Sequence, residues 1–237
     1  MRGAMAMVAL VRSPIEAPEL ARALTMSEQE TDDVTLLLAW RAGDKGSGNR
    51  LLRRHFEAIY CFFATKVDDP ADLTQRTFLA CVEANERFRG DSSVRTWIFA
   101  IARRTLFNHY RSLDRSRGHR GDLGQRSAVD LGPSPSKVLA GRDEQKLLVV
   151  ALRSLPLEMQ ITLELHYWEA MKLQDIAVVL DIPPGTVKSR LARARTQLRE
   201  AVVVLAESPR LREDTLERLE HWARAVRADL GASTTEH

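Results

Sequence analysis

The stretch IPPGTVKSRLARARTQLR, Ile182 to Arg199, decides how the rest of the chain is read. Two prolines and a glycine lead into a run with five cations (Lys188, Arg190, Arg193, Arg195 and Arg199) and no carboxylate. Pro184 suits the first turn of a helix, where its fixed φ is already helical and its missing N–H is no loss. Val187, Leu191, Ala194 and Leu198 then recur at the spacing of one buried helical stripe. Thr186, Lys188, Ser189, Arg190 and Arg193 lie off that stripe. The start of such a helix carries free N–H groups and the positive end of the helix dipole, which suits a phosphate.

Just upstream, Leu173 to Leu180 reads as a short helix with Ile176, Ala177 and Leu180 inward, closed by the tight turn DIPPG. A short helix, a turn and a basic helix make the helix-turn-helix arrangement of DNA binders. Ile176, Ala177, Ile182, Val187 and Leu191 supply its shared core, and Ala177 is small where the two helices cross. Arginine bonds guanine in a bidentate way, while lysine and serine more often hold phosphates. A solvated basic helix on an ordinary bundle is the competing reading of this stretch taken alone.

Composition does not oppose a DNA-binding role. The 237 residues are 44% hydrophobic and 28% charged, ordinary for a soluble chain of one or two domains. The formal net charge is only +3, but the charge is segregated. Seven arginines lie between Arg103 and Arg126 against Asp114 and Asp122, while acids gather at Glu28–Asp33 and Glu213–Glu220. Two basic clusters on a nearly neutral chain point to a polyanion met in two places. Cys61 and Cys81 have no ligand-spaced partners and read as buried free thiols in a reducing compartment, hence a cytoplasmic protein. The six histidines are scattered, and no phosphate loop or metal spacing appears, so no catalytic set, metal or cofactor is expected.

The periodicity predicts an all-α fold: two small helical domains, a flexible linker between them, and a C-terminal amphipathic helix. Residues 1–30 are a leader without periodicity, read as disordered, whose apolar run is too short to span a membrane. The first domain, 31–113, has four helices. The first covers 31–44, capped by Thr31 or Asp32 and ended by Gly43. GDKGSGN reads as a loop, and the second helix runs from Leu51 to Val67. The third is capped by Asp69 with Pro70 in its first turn and buries Leu73, Phe78 and Val82. The fourth is capped by Ser92 or Ser93 and runs from Val94 to about Leu113. Residues 114–141 are rich in Gly, Ser, Pro and charge and read as the linker. The second domain, 142–206, contains the helix-turn-helix; Ser154 and Pro156 are expected to open its second helix. In the extension, 207–237, Leu211, Thr215, Leu219, Trp222, Val226 and Leu230 share one stripe.

These residues also resemble a known family. LPLEMQITLELHYWEAMKLQDIAVVLDIPPGTVKSRLARARTQLR is similar to region four of bacterial RNA polymerase sigma factors of the extracytoplasmic-function (ECF) type, in the sigma-70 family. DPADLTQRTFLACVEANERFRGDSSVRTWIFAIARRTLFNHYR, 69–111, is similar to their region two. Two long motifs occur in the family's order, on either side of a linker.

The resemblance implies a non-enzymatic protein that binds core RNA polymerase, directs it to specific promoters and helps open the DNA. It implies docking of the DPADLTQRTF helix on the polymerase clamp through Asp69, Asp72, Gln75 and Arg76, with region four near the flap. Ala71 and Arg76 depart from positions that are usually acidic in the family. The loop Arg89, Gly90, Asp91, Ser92 and Ser93 matches the segment that captures a flipped base of the minus-ten element. Arg95, Arg103, Arg104 and Asn108 are the polar candidates on the helix that follows. Trp97 is read there as core more than as a stacking platform. Thr186, Lys188, Ser189, Arg190 and Arg193 are the candidates for the minus-thirty-five element. Lys172 replaces the family's usual Ser or Thr cap, so the first helix of the motif is expected to lack a side-chain cap. An anti-sigma factor is a further partner that the resemblance implies. Two alternatives remain on the sequence: a stand-alone helix-turn-helix regulator, and a degenerate relative acting as a protein-interaction module.

Overall fold

A computed structural model describes residues 32–117, 122–131, 143–206 and 208–217. The expected leader, much of the linker and the tail stripe from Leu219 to Leu230 lie outside these residues. All regular structure among the described residues is helical.

The first unit comprises α1 (Asp33–Arg41), α2 (Lys45–Ala64), α3 (Pro70–Ala84) and α4 (Val94–Arg117). Asp32 caps α1 by accepting from Val34 N–H at 3.1 Å. Asp69 caps α3 by accepting from Asp72 N–H at 3.0 Å, and Ser93 caps α4 by accepting from Thr96 N–H at 3.0 Å. A short 3-10 turn, Asn85–Arg87, follows α3. Arg41 reaches across from α1 and donates to the carbonyls of Asn85 and Phe88, which anchors the start of the α3–α4 loop.

Two expectations fail here for physical reasons. The segment GDKGSGN is not a loop, because α2 begins at Lys45. Asp44 caps it, accepting from Gly46 N–H at 2.9 Å and from the Ser47 hydroxyl at 2.5 Å. Gly48 is poor for helix propensity but is required by packing, since a Cβ there would lie 2.7 Å from the Trp40 ring. Val82 is not core: it is 47% exposed and Leu79 56%, while the buried residues of α3 are Leu73, Thr74, Thr77 and Cys81.

The second unit comprises α6 (Asp143–Ser154), α7 (Leu157–Tyr167), α8 (Leu173–Leu180) and α9 (Pro184–Leu205), preceded by the single turn α5 (Ala128–Leu131) and followed by α10 (Pro209–Glu217). Ser154 does not cap α7; its hydroxyl donates back to Ala151 O, and Pro156 is the cap residue without a side-chain bond. The linker supplies what the cap does not, because Leu157 N–H donates to Arg126 O at 2.9 Å. The expected flexible linker is therefore packed over 122–131. Leu123 is buried, Arg126 holds Asp114 at 2.8 Å, and Ser127 pairs with Pro156 in an isolated antiparallel bridge. Helix α10 lies on α6 and α9, and Leu211 packs against their core.

The two units are docked, an arrangement on which the sequence is silent. One core cluster joins Phe62, Phe63, Phe99 and Tyr110 of the first unit to Leu157, Ile161, Leu165 and Ile176 of the second. Another joins Cys61 and Ala64 to Leu148, Leu152, Leu163 and Leu191. Between them is a polar knot. The Lys66 ammonium, fully buried, pairs with the Glu164 carboxylate and donates to Phe62 O at 2.6 Å. Thr65 donates to Glu164 at 2.9 Å, Gln160 donates to Glu164 at 2.9 Å, and Arg153 donates to Thr65 O at 2.6 Å. The Tyr110 hydroxyl donates to Lys66 O at 2.6 Å. Burial pulls the Lys66 ammonium below the ordinary lysine range, and the charge and hydrogen bond of Glu164 offset this in part. A buried ion pair costs desolvation and is held only where its remaining donors and acceptors are satisfied, as the neighbours do here.

Two outcomes in chemical denaturation follow. Gly48→Ala lowers stability by about 1–3 kcal/mol through overpacking against Trp40. Gly185→Ala, with open space around its Cβ position, does not lower it and raises it by up to ~1 kcal/mol. Lys66→Met leaves Glu164 buried without its cation and costs about 3–5 kcal/mol, whereas Lys66→Met with Glu164→Leu recovers most of the loss. Additive single-mutant losses would contradict the pairing.

Candidate nucleic-acid and polymerase interface

The helix-turn-helix is formed by α8, the turn at Asp181–Pro183, and α9. Leu180 ends α8, and Asp181 takes the left-handed conformation at φ 55°, which swings the chain round. Ile182 N–H closes the turn on Ala177 O at 3.1 Å. Helix α8 has no side-chain cap at Lys172, as its sequence implies. Val187, Leu191, Ala194 and Leu198 are all buried, so the opposite face of α9 is fixed outward.

Of the five residues expected to read the minus-thirty-five element, Lys188, Ser189 and Arg193 are exposed, while Thr186 and Arg190 are half-buried. The Ser189 hydroxyl donates to Thr186 O at 3.0 Å. Arg190 is not free: its guanidinium pairs with Glu158 at the start of α7. Further along α9, Arg195 lies over the Tyr167 ring at 5.3 Å.

The loop expected to take a flipped base runs over the outside of the first unit. Arg89, Gly90, Asp91 and Ser93 are exposed and Ser92 is half-buried. Gly90 has φ +82° with nothing near its Cβ position, so the backbone conformation alone calls for glycine. Ser93 and Thr96 share a hydroxyl–hydroxyl bond at 2.8 Å, which fixes the end of the loop to α4.

Along α4 the four polar candidates divide. Arg104 and Asn108 are exposed, and Asn108 accepts from Arg111 at 3.0 Å. Arg95 and Arg103 turn toward the second unit. Arg95 lies over the Phe99 ring, donates to Glu169 O at 2.7 Å and pairs with the Glu169 carboxylate. Arg103 lies over the Phe107 ring at 4.6 Å and pairs with Glu158. Its buried Nε has no hydrogen-bond partner among the described residues. Trp97 is half-buried and packs on Phe88 with ring centres 5.4 Å apart, a core contact, while its edge lines the cleft between α4 and α8.

The face of α3 expected to meet polymerase is outward. Asp69 is spent on the helix cap, and Asp72 pairs with Arg76 one turn on, at 2.9 Å. That internal pair accounts for an arginine at a position the family usually fills with an acid: locally it neutralises the carboxylate before it. Gln75 is exposed. The same face continues into exposed Leu79 and Val82. Phe56 of α2, 39% exposed, lies 6.1 Å from Phe78 between ring centres and extends the apolar surface.

The sequence reading missed the acids of α7 and its C-terminal flank. Glu158, Glu164 and Glu169 all bond to the first unit. A signal was present: LEMQITLELHY carries Glu158, Gln160, Thr162 and Glu164 around the whole helix, and the last three are buried. A helix with polar groups on faces that are also apolar is covered on both sides. The two cysteines are buried and form no disulfide with each other, and burial pushes the Cys81 thiol up to about 12. Among the described residues no cluster of three metal-ligating side chains occurs, and no helix is long and apolar enough to cross a membrane.

Comparison with known proteins agrees with this geometry. The family described as Sigma-70 region 2 matches residues 50–116, and Sigma-70, region 4 matches residues 145–198. The ECF RNA polymerase sigma-E factor of Haemophilus influenzae is 27% identical over 186 residues, covering 75% of this chain and 98% of that protein. Its counterpart in Escherichia coli K12 is 28% identical over 180 residues, covering 72% and 93%. Among solved structures, the sigma factor RpoE in complex with the anti-sigma factor NepR from Bartonella quintana shares the fold, with a TM-score of 0.50 and 23% identity over 65% of this chain and 93% of that one. With a region-two unit and a region-four helix-turn-helix in one all-helical chain, the protein belongs to the sigma-70 family as an ECF sigma factor, a non-enzymatic initiation factor that directs RNA polymerase to promoters.

Proposed function

We propose that this chain holds a promoter at two elements while bound to core polymerase, and that it helps open the DNA between them. The observation that carries this is the outward placement, on one chain, of Lys188, Ser189 and Arg193 on α9 and of the Arg89–Ser93 loop with Arg104 and Asn108 on the first unit. In this reading the start of α9 enters the major groove of the minus-thirty-five element. Its free N–H groups meet a phosphate, Thr186, Lys188 and Ser189 fix the register, and Arg190 and Arg193 reach bases or the backbone. The loop offers the backbone and hydroxyl groups of Gly90, Asp91 and Ser92 to an unstacked base of the minus-ten element. Unstacking costs a few kcal/mol, which such a pocket offsets. Arg95, Arg103, Arg104 and Asn108 hold the adjoining strands.

The polymerase contact is assigned to the outward face of α3. Asp69 shapes its start, Asp72 and Gln75 supply polar contacts, and Arg76 tempers the negative charge. The exposed Leu79 and Val82 add an apolar patch that a free surface would not favour. The second unit is assigned to the flap, and the arginines after Asn108 to the path of the template strand or nascent RNA. A regulator of the anti-sigma class is a further proposed partner, on the strength of a relative of like fold solved in complex with one. A cytoplasmic location accords with two buried thiols that are not joined in a disulfide. The extension from Ser208 packs on the second unit through Leu211, which supports a stabilising role for it there.

Run-off transcription with core polymerase on a library of genomic fragments tests the reading. Transcripts are expected only when core enzyme and this chain are both present. Lys188→Ala with Arg193→Ala weakens promoter engagement by about 2–4 kcal/mol and leaves polymerase binding unchanged. Leu79→Asp has the reverse pattern, weakening polymerase binding without lowering the melting temperature. Dimeric footprinting of duplex DNA by the chain alone, with no polymerase dependence, would instead identify a stand-alone regulator.

A further inference from the structure

A cleft of about 980 Å³ opens between α4, α8 and the packed linker at Asp122 and Leu123. Ligand sites commonly hold about 300–1,000 Å³, so this one is large enough for a whole small molecule. Its two walls differ in chemistry. Helix α4 lines one of them with Trp97, Arg104, Arg111 and Arg115. Successive members of that set are two turns, two turns and one turn apart, which puts all four on one face of the helix. The opposite wall is apolar, made by Val178 and Val179 of α8 with Leu123 of the linker. Val178 is 50% exposed although it fronts the cleft.

The acids around the cleft leave the arginine row uncompensated. Asp114 takes Arg126 on both oxygens at 2.8 Å. Asp122 accepts from Gly124 N–H at 2.9 Å, and Glu158 pairs with Arg103 and Arg190. Asp181, exposed at the end of α8, lies on the opposite wall. Among the described residues, the ion pairs at the cleft use none of Arg104, Arg111 and Arg115, and all three are exposed. Arg111 donates to the Asn108 side-chain carbonyl at 3.0 Å, which steadies its guanidinium without neutralising it. Arg111 and Arg115, about 6 Å apart along the axis, are placed to hold neighbouring phosphate groups.

We propose that this cleft binds a nucleoside polyphosphate, with its phosphates along Arg104, Arg111 and Arg115 and its base between the Trp97 edge and Val178. A nucleic-acid backbone asks only for the cations. The facing apolar wall, with an indole at one end of the cationic row, suits a ligand that joins a flat, weakly polar ring to a string of negative charges. The inference goes beyond the promoter reading, since it concerns the free chain and needs neither DNA nor polymerase. It shares Arg104 and the arginines after Asn108 with that reading, so nucleotide and nucleic acid compete for them.

The test uses the full chain alone, at fixed salt, with adenosine triphosphate labelled on its ribose and followed by fluorescence anisotropy. Saturable binding is expected. Unlabelled adenosine triphosphate should displace the probe at least about tenfold better than inorganic triphosphate or adenosine does, because each of those lacks one half of the ligand. Arg111→Ala with Arg115→Ala, at exposed sites, should weaken binding by at least about tenfold. Val178→Glu, which removes no cation, should weaken it by about tenfold through repulsion of the phosphates and loss of the apolar wall. The control is Arg53→Ala with Arg199→Ala, two exposed arginines that do not line the cleft, and it should match the parent. Thermal melting by circular dichroism checks that each variant is folded. If Val178→Glu melts early, Val178→Ser is read in its place, with an expected loss of about threefold.

Absence of saturable binding overturns the proposal. Equal displacement by inorganic triphosphate overturns it too, since that is the signature of a surface that takes any polyanion. A loss shared by the control, or folded Val178 variants that bind as the parent does, has the same consequence. Failure of the parent chain to support run-off transcription counts against the promoter reading and leaves the nucleotide titrations as they are.

Discussion

The buried pair of Lys66 with Glu164 is the constraint on which the arrangement depends. Lys66 lies two residues past the end of α2 in the first unit, and Glu164 sits in the second half of α7 in the second. Neither ion would be stable in that interior alone, because each would bring an uncompensated charge out of water. Together, with Thr65, Gln160 and the Arg153 guanidinium filling the remaining bonds, they make a polar knot inside apolar surface. Such a knot contributes little net stability beyond what apolar residues of the same volume would give. Its value is positional: it admits one register of the two units and makes separation an event with a defined cost.

That register sets which of the cations proposed for the promoter face solvent. With the units held by the knot, α4 lies along α8, and the arginines of α4 meet the acids of α7 and its flank. The outer half of each surface stays in water. The inner half is neutralised within the chain. The face of α3 proposed for the polymerase contact is not covered by this docking, since Gln75, Leu79 and Val82 are exposed.

Much of the fold was legible in the sequence, for identifiable reasons. Caps at Asp32, Asp69 and Ser93 are local side-chain chemistry, and the stripe from Val187 to Leu198 is a long, strong period. The uncapped α8 could be read in the same way. What was not legible depends on tertiary partners. Gly48 looks like a loop residue until Trp40 needs the space. Val82 fits a helical stripe, yet the chain leaves it outward. The linker looks mobile by composition, yet Leu123, Arg126 and Ser127 serve α7, whose first N–H would otherwise lack a partner. The candidate site was legible as a set of cations and a loop. Which of those cations are free was not, because periodicity assigns a face to Arg95, Arg103 and Arg190 and says nothing of what lies opposite.

The central claim, that the two units are docked in one register about the buried pair, is tested most directly by single-molecule energy transfer. Dyes placed at Glu86→Cys and Gln197→Cys, both exposed sites, report on the two units, while Cys61 and Cys81 are fully buried and resist labelling. The account predicts one narrow distribution at high transfer efficiency. A broad distribution, or a second population at low efficiency, would contradict it.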